Sequence, residues 1–345
     1  MSHRYSKIVG IGGIGTGMLF CTDINTILGR SESRLVVLDP ARDYCKQHIV
    51  FHYVSAFLSP EVKILPIGFV GNDIYGERLI DDIRGVGMDT TFLKTDLTLP
   101  TMLSICLQYP DKETCNFTAS NSACNLVTPE YVQLCLNQIG INEDVLIAAI
   151  PEVSFDSRIK MLQYGKERGA FCVLSVPEVE AEAFIAANAF EYCDLVAVNY
   201  HEALAISPGK EDGPALVQRL YTYLREFNPH IMLLVTLGSR GAYSANEGLI
   251  EYIPALPVDV VNSTGAGDAC LGGTIAGLAL NLPFQKGCND KIFGESSITS
   301  AVEMGTLCAG MSIETVDTIA QHVNAASILK RIQDSGYMIS REFVL

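Results

Sequence analysis

The sequence predicts an α/β fold: a mostly parallel sheet flanked by helices on both faces, with a small separate β-sheet. Three observations carry that expectation. After Thr128, strand-like and helix-like segments alternate, the pattern of a parallel sheet covered on both sides. Between Met88 and Ser120 this alternation gives way to short β-prone pieces separated by turn residues. At Gly265-Ala266-Gly267 a glycine turn opens a small, apolar, nearly uncharged stretch from Ala269 to Leu280, which suits a helix buried in a core.

The elements follow in order. Lys7 to Gly12 reads as a buried strand ending in a glycine turn. Gly10-x-Gly12-x-x-Gly15, with Asp39 closing a later strand from Arg34 to Leu38, is a pattern found in dinucleotide-binding folds. No helical pattern joins the two, because Met18 to Arg30 mixes β-branched residues, Gly29 and polar residues. The acid also falls about 30 residues on, where the fingerprint needs about 20. A nicotinamide-dependent (NAD-binding) oxidoreductase is therefore the lesser reading.

A helix is expected from about Asp43 to Leu58, with His48 and His52 on one face. No third metal ligand accompanies them in sequence. Val62 to Gly71 is a strand, and Asn72 to Gly76 turns into a helix ending near Gly85 or Gly87. Thr91 to Leu93, Met102 to Tyr109 and Thr114 to Thr118 predict a small antiparallel sheet, joined by Leu35 to Leu38. Further strands are expected at Val145 to Ile150, Phe171 to Val176, Leu195 to Val198 and Ile231 to Thr236. Helices are expected at Pro129 to Gln138, Ser157 to Arg168, Pro214 to Phe227, Gly265 to Leu280, Ser297 to Ala309 and Glu314 to Ile332. No repeat, low-complexity tract or long linker interrupts the chain, so residues 1–345 read as one domain.

With 48% hydrophobic and 18% charged residues, there is ample material for a core. A net charge of −15 without any Lys/Arg block argues against nucleic acid or an anionic membrane as partner. It does not oppose an ATP enzyme, whose phosphates need only a local positive site. Eleven cysteines without a CxxC read as reduced, buried thiols of a cytoplasmic protein. Arg4 and Lys7 before the run Ile8 to Cys21 imitate a signal peptide, but five glycines and the lack of a cleavage pattern oppose it. No apolar run reaches membrane-spanning length.

The Gly265 turn would aim free N–H groups and the positive end of a helix dipole at an anion. Asp268, in the first turn, is either a dipole partner or a base. A carboxylate beside an anion cradle is what phosphoryl transfer to an alcohol needs. Asn199-Tyr200-His201-Glu202 follows a strand and reads alone as a capping-box variant. Thr236-Leu237-Gly238-Ser239-Arg240-Gly241 ends another strand, either as a hairpin turn or as a loop that a ligand can approach closely. No GxxxxGK[ST] exists, which excludes a P-loop NTPase.

Asn262-Ser263-Thr264-Gly265-Ala266-Gly267-Asp268 resembles the D-T-x-G-A-G-D signature of the ribokinase-like (PfkB) carbohydrate kinase family. Val70 to Gly76 matches its V-G-x-D-x-x-G run, Asn199 to Glu202 its N-x-x-E, and Thr236 to Gly241 its T-L-G-x-x-G. The resemblance implies a ribokinase-like fold, with about 13–40 and 88–120 as a lid over the substrate and a homodimer contact through that lid. It implies a kinase using ATP and Mg²⁺ on a sugar or sugar-derived alcohol. Asp268 would be the base, and Gly265, Ala266 and Gly267 the anion hole. Thr236, Gly238, Gly241 and Thr264 would contact the nucleotide. Asn199 and Glu202 would place Mg²⁺ and phosphate, largely through water. A nucleoside acceptor on the same scaffold, and a protein that retains ATP without turnover, are the other readings.

The acceptor side departs from the family. Gly12, Gly13 and Gly15 crowd the turn where acidic or amide residues hold the sugar. Arg42 to His48 replace a Gly-Gly loop, His52 falls near an Asn position, and Ser175-Val176-Pro177-Glu178 lacks the usual Asp-Pro-Asn-like end. Arg42, Lys46, His48 and His52 are therefore expected to hold an acceptor bearing a carboxylate or phosphate. Asn262 stands where the family has an Asp that helps bind a monovalent cation, which leaves potassium activation open.

Overall fold

Local chemistry sets the elements of the computed structural model, which describes residues 3–26, 28–111, 114–209, 211–286, 298–335 and 342–344. The first half runs β1 (Lys7–Ile11), β2 (Gly15–Cys21), β3 (Val37–Leu38), β4 (Asp43–Tyr44), α1 (Lys46–Leu58), β5 (Lys63–Gly71), α2 (Ile74–Gly85), β6 (Leu93–Asp96), β7 (Met102–Gln108), β8 (Thr114–Thr118), α3 (Pro129–Ile139) and β9 (Val145–Ala149). Next come α4 (Phe155–Lys166), β10 (Phe171–Ser175), α5 (Ala181–Ala186), β11 (Leu195–Asn199), α6 (Tyr200–Ile206), α7 (Gly213–Phe227) and β12 (Met232–Thr236). The chain closes with β13 (Ala242–Asn246), β14 (Leu249–Ile253), α8 (Ala266–Ala279), α9 (Ala301–Ser312), α10 (Ala325–Ser335) and β15 (Glu342–Val344).

The main sheet has the order β15-β14-β13-β12-β11-β10-β9-β1-β5-β6. From β6 to β12 every pairing is parallel, and β12 to β15 are antiparallel. Central strands are buried on both faces, which is why β1 and β9 read as unbroken apolar runs. One apolar core packs α1, α2, α8 and α9 on one face; the other packs α3, α4, α6 and α7 on the opposite face. The smallness of α8 has a packing cause. A Cβ on Gly272 would lie 2.5 Å from the Val50 carbonyl of α1, and one on Gly273 2.9 Å from Gly305 of α9. Glycine lets three helices approach to backbone contact.

The predicted ribokinase-like architecture is present, with four corrections. The small sheet, ordered β3-β2-β7-β8 with β4 also on β2, is mixed: β2 and β7 run parallel from Gly15↔Met102 to Cys21↔Gln108. The glycine run after β1 leads into β2 and not into a helix, so the dinucleotide-binding pattern has no βαβ unit behind it. The Leu93 piece belongs to the main sheet, paired with β5. Asp43 and Tyr44 pair with Thr16 and Gly17 of β2, which delays α1 to Lys46.

Two expected helices also shift. α9 starts at Ala301, where the Ser300 hydroxyl caps it; Ser297 lies outside the described residues. Of Glu314 to Ile332, only the part from Ala325 is helical. Residues 313–318 instead spend their polar groups on other segments. Ile313 O accepts from the amides of Val261 and Asn262, and Thr318 N donates to Arg42 O. Among the described residues no helix is long and apolar enough to cross a membrane.

Candidate active site

The site grows from the N-terminus of α8. Most longer helices here end in a side-chain cap: Asp73 on α2, Thr128 on α3, Ser154 on α4, Asp212 on α7 and Ser300 on α9. α8 has Gly265 at that position and no side-chain cap. Ala266 N makes a long 3.4 Å bond to Ser263 O, and the first-turn amides of Gly267 and Asp268 have no intrahelical acceptor. Gly265 has φ 80°, and a Cβ there would come to 3.0 Å from Thr318 O. Only glycine takes this position without strain. The turn is stapled from behind: Asn262 Oδ1 accepts from Thr264 N at 3.0 Å, and Asn262 Nδ2 donates to Val316 O at 2.8 Å.

Two strand ends face this turn. At the end of β12, Leu237 N donates to Gly241 O at 2.8 Å, closing a loop over Gly238. Gly241 has φ 85° and a Cβ there would run into the Ile253 carbonyl. Thr236 Oγ1 lies 3.6 Å from the point a Gly267 Cβ would occupy. At the end of β11, Asn199 Oδ1 accepts from His201 N and Glu202 N, while Glu202 Oε2 accepts from Asn199 N at 2.7 Å. The capping box exists, and it also fixes the second Glu202 oxygen 3.4 Å from Lys46 Nζ. Together these elements enclose a cavity of about 950 Å³ that reaches Asp268 and Lys46 at one end and Leu256, Ala309 and Ile313 at the other.

The charges at the polar end are unbalanced. Burial pushes the Asp268 carboxyl up to about 6; Lys46 opposes that rise, and Glu202 and Asp43 add to it. Burial works against the Lys46 charge, but Asp268, Glu202 and Glu152 more than offset it and hold the ammonium protonated. An acid poised near neutrality, beside free helix amides and one cation, can accept a hydroxyl proton while the amides hold a phosphate.

A profile of the pfkB family of carbohydrate kinases matches residues 61–324. The chain belongs to this family. It is similar to a ribokinase of Lactococcus lactis, 25% identical over 75% of each chain, and to the adenosine kinase of Saccharomyces cerevisiae, 23% identical over 76% of this chain and 75% of its relative. An Escherichia coli structure solved in complex with ATP and Mg²⁺ has the same fold, with TM-score 0.72 and 18% identity over 95% of this chain and 99% of its own.

The four residues expected to hold the acceptor are not brought together in this carbohydrate kinase. Of Arg42, Lys46, His48 and His52, the cavity takes in Lys46 alone. His48 is 1% exposed with its ring edge-on to Tyr44, and His52 is 2% exposed against Tyr53. Burial pushes their imidazoles down to about 3 and about 4, so neither supplies charge. Arg42 and His52 border a separate cavity beside α2.

Beside Lys46 stands Glu152, which the motif reading missed. It follows β9 with φ 76°, a conformation costly for a side-chain-bearing residue and concentrated at functional sites. Glu152 is exposed at the surface, and its Oε2 accepts from the first amide of α1, Lys46 N, at 3.3 Å. Burial pushes its carboxyl up to about 7, with Lys46 opposing and Asp268 adding. The signal was present: ligands gather beyond the carboxyl ends of parallel strands, and Glu152 sits two residues past a predicted one.

Proposed function

We propose that the chain transfers the terminal phosphoryl group of ATP to a hydroxyl of an uncharged sugar or sugar-like alcohol. The observation that carries this reading is the uncapped N-terminus of α8 with Asp268 in its first turn. The acceptor hydroxyl gives its proton to Asp268, its oxygen bonds to the terminal phosphorus, and the bond to ADP breaks. The amides of Gly265, Ala266 and Gly267 serve as the anion hole, with the Asp268 amide beside them, and Lys46 balances charge on the transferred group.

Thr236, Gly238, Gly241 and Thr264 hold the nucleotide, whose base lies toward Leu256, Ala309 and Ile313. Glu202 and Asn199 suit Mg²⁺ bound through water, since the Asn199 carbonyl oxygen is already spent on two amides. When bound, the ion neutralises charge between the phosphates. The carboxyls of Asp43, Glu152, Glu202 and Asp268 gather around Lys46, which disfavours an anionic acceptor at this end. Glu152 is the candidate for holding an acceptor hydroxyl.

ADP release measured with ATP and Mg²⁺ over a panel of sugars, sugar acids and nucleosides tests the reading. Turnover on a neutral sugar supports it. Turnover only on an acid or phosphorylated sugar overturns the acceptor assignment, and failure to bind ATP overturns the whole. The adenosine kinase relative favours a nucleoside acceptor as the second reading; product analysis separates the two.

Leu35, Val37 and Phe117 are more than two-thirds exposed on or beside the small sheet, and we propose that they pair two copies through the lid. Light scattering on Phe117→Lys should show a shift from dimer to monomer; a wild-type monomer refutes it.

A further inference from the structure

A second cavity, of about 530 Å³, lies between α1, α2 and the segment leading to α10. It is bordered by Arg42, His52, Asp81, Asp82, Gln321 and Asn324. Nothing in the proposed kinase chemistry uses it. His52 is 98% withdrawn from solvent, borders this cavity, and its Nε2 has no hydrogen-bond partner. Leaving a buried polar atom without a partner is costly, so its persistence calls for a ligand or water that meets it. On another wall Tyr44 donates its hydroxyl to Asp82 Oδ2 at 3.0 Å, and Arg42 bonds to the same tyrosine. Asp81 and Asp82 lie toward the C-terminal end of α2, where peptide carbonyls favour donors. Asn324 spends its carbonyl oxygen on Ser327 N at 3.1 Å, leaving its NH₂ group to the cavity side.

We propose that this cavity binds a small uncharged polyhydroxyl compound, a free sugar or polyol. Its walls mix donors and acceptors: a guanidinium, two carboxylates, two amides and an imidazole. Hydroxyl groups both donate and accept, and so match such a wall at every point. An anion drawn to Arg42 would meet Asp81 and Asp82, and an ammonium drawn to the aspartates would meet Arg42. Among the described residues no group of three His, Cys, Asp or Glu side chains could hold a metal ion.

The cavity is tied to the catalytic turn through shared backbone. Arg42 N donates to Asp317 Oδ1 at 2.7 Å, Thr318 N donates to Arg42 O at 3.0 Å, and Tyr44 N donates to Thr318 Oγ1 at 3.1 Å. The same segment offers Val316 O to Asn262 and packs Thr318 O against Gly265. An occupant that steadies Arg42 thereby steadies the backbone behind the proposed anion hole.

The test is calorimetric titration of the whole protein with D-ribose, D-sorbitol and myo-inositol as probes, repeated on Ala56→Leu, which fills the cavity from α1, and on Gln321→Ala. At least one probe binds the wild type, and Ala56→Leu weakens it at least tenfold. Loss of the Gln321 amide weakens it about threefold or more, and this exposed change decides the matter should Ala56→Leu fail to fold. The proposal is overturned when no probe binds, when binding survives in both variants, or when inorganic phosphate or ethylammonium binds there in preference. These outcomes stand whether or not the catalytic cleft proves to be a sugar kinase site.

Discussion

The two ends of the catalytic cleft are built from different materials. At the end proposed for the phosphates the cavity-facing groups are backbone: the bare first turn of α8 and the glycine loop after β12. At the end proposed for the acceptor they are side chains, Glu152, Lys46, Asp43 and Asp268, brought from three separate places in the sequence. Backbone recognition requires glycine at fixed spacings, so it leaves a motif. Side-chain recognition requires only that carboxyl and amine groups meet, which many sequences achieve and few advertise.

The largest expected effect lies where the two ends meet. Asp268→Asn should lower kcat by about a thousandfold, the upper range for loss of a general base, while ATP binding measured by calorimetry is retained. Equal loss of both would make Asp268 a structural residue. The wild-type kcat/KM should fall as pH drops below about 6, where the raised carboxyl of Asp268 takes up its proton.

A smaller change sharpens the contrast. Glu152→Gln should raise the acceptor KM about tenfold, the cost of one charge-assisted hydrogen bond, with the KM for ATP unmoved. Its stability carries a distinct signature. A carboxyl pushed up to about 7 in the folded state holds a proton that the unfolded chain has already released. Folding is thus favoured at low pH and weakened as pH rises from the ordinary Glu range to about 7. Glu152→Gln should therefore raise Tm more at pH 8 than at pH 5; equal Tm changes at both would mean that the carboxyl is not perturbed.

The next test concerns the staple behind the anion hole. Asn262 gives its NH₂ to Val316 O, a bond the acid found in the family could not donate while ionised. This bond ties the turn to residues 313–318. Activity with potassium replaced by an organic cation should stay within about twofold, whereas a drop of tenfold would show that a cation still completes the turn. The smallest expected effect is on Arg42→Ala, which should leave the acceptor KM unchanged because Arg42 faces the other cavity.

How far the sequence was legible follows the same division. The alternation after Thr128 marked the parallel sheet, and Gly265, Gly238 and Gly241 marked the loops that face the cavity. His48 and His52 misled because spacing on a helix reports which residues share a face, not what that face meets; here it meets α2 and the protein interior. The lid was read as antiparallel because its short pieces lie close in sequence, while the parallel partner of β7 is β2, from the other side of β5. Residues 314–324 were expected to be helical, whereas Arg42 and Asn262 claim polar groups of this segment.

One consequence reaches past this molecule's own chemistry. At Gly13 a Cβ would lie 2.5 Å from both Glu152 Cβ and Met102 Cε. Met102 Cε is the movable tip of a flexible side chain, whereas Glu152 Cβ sits on a backbone held at φ 76°. A side chain added at the turn after β1 can push Met102 aside but not Glu152, so redesign of this turn has to begin from Glu152 rather than from the glycines.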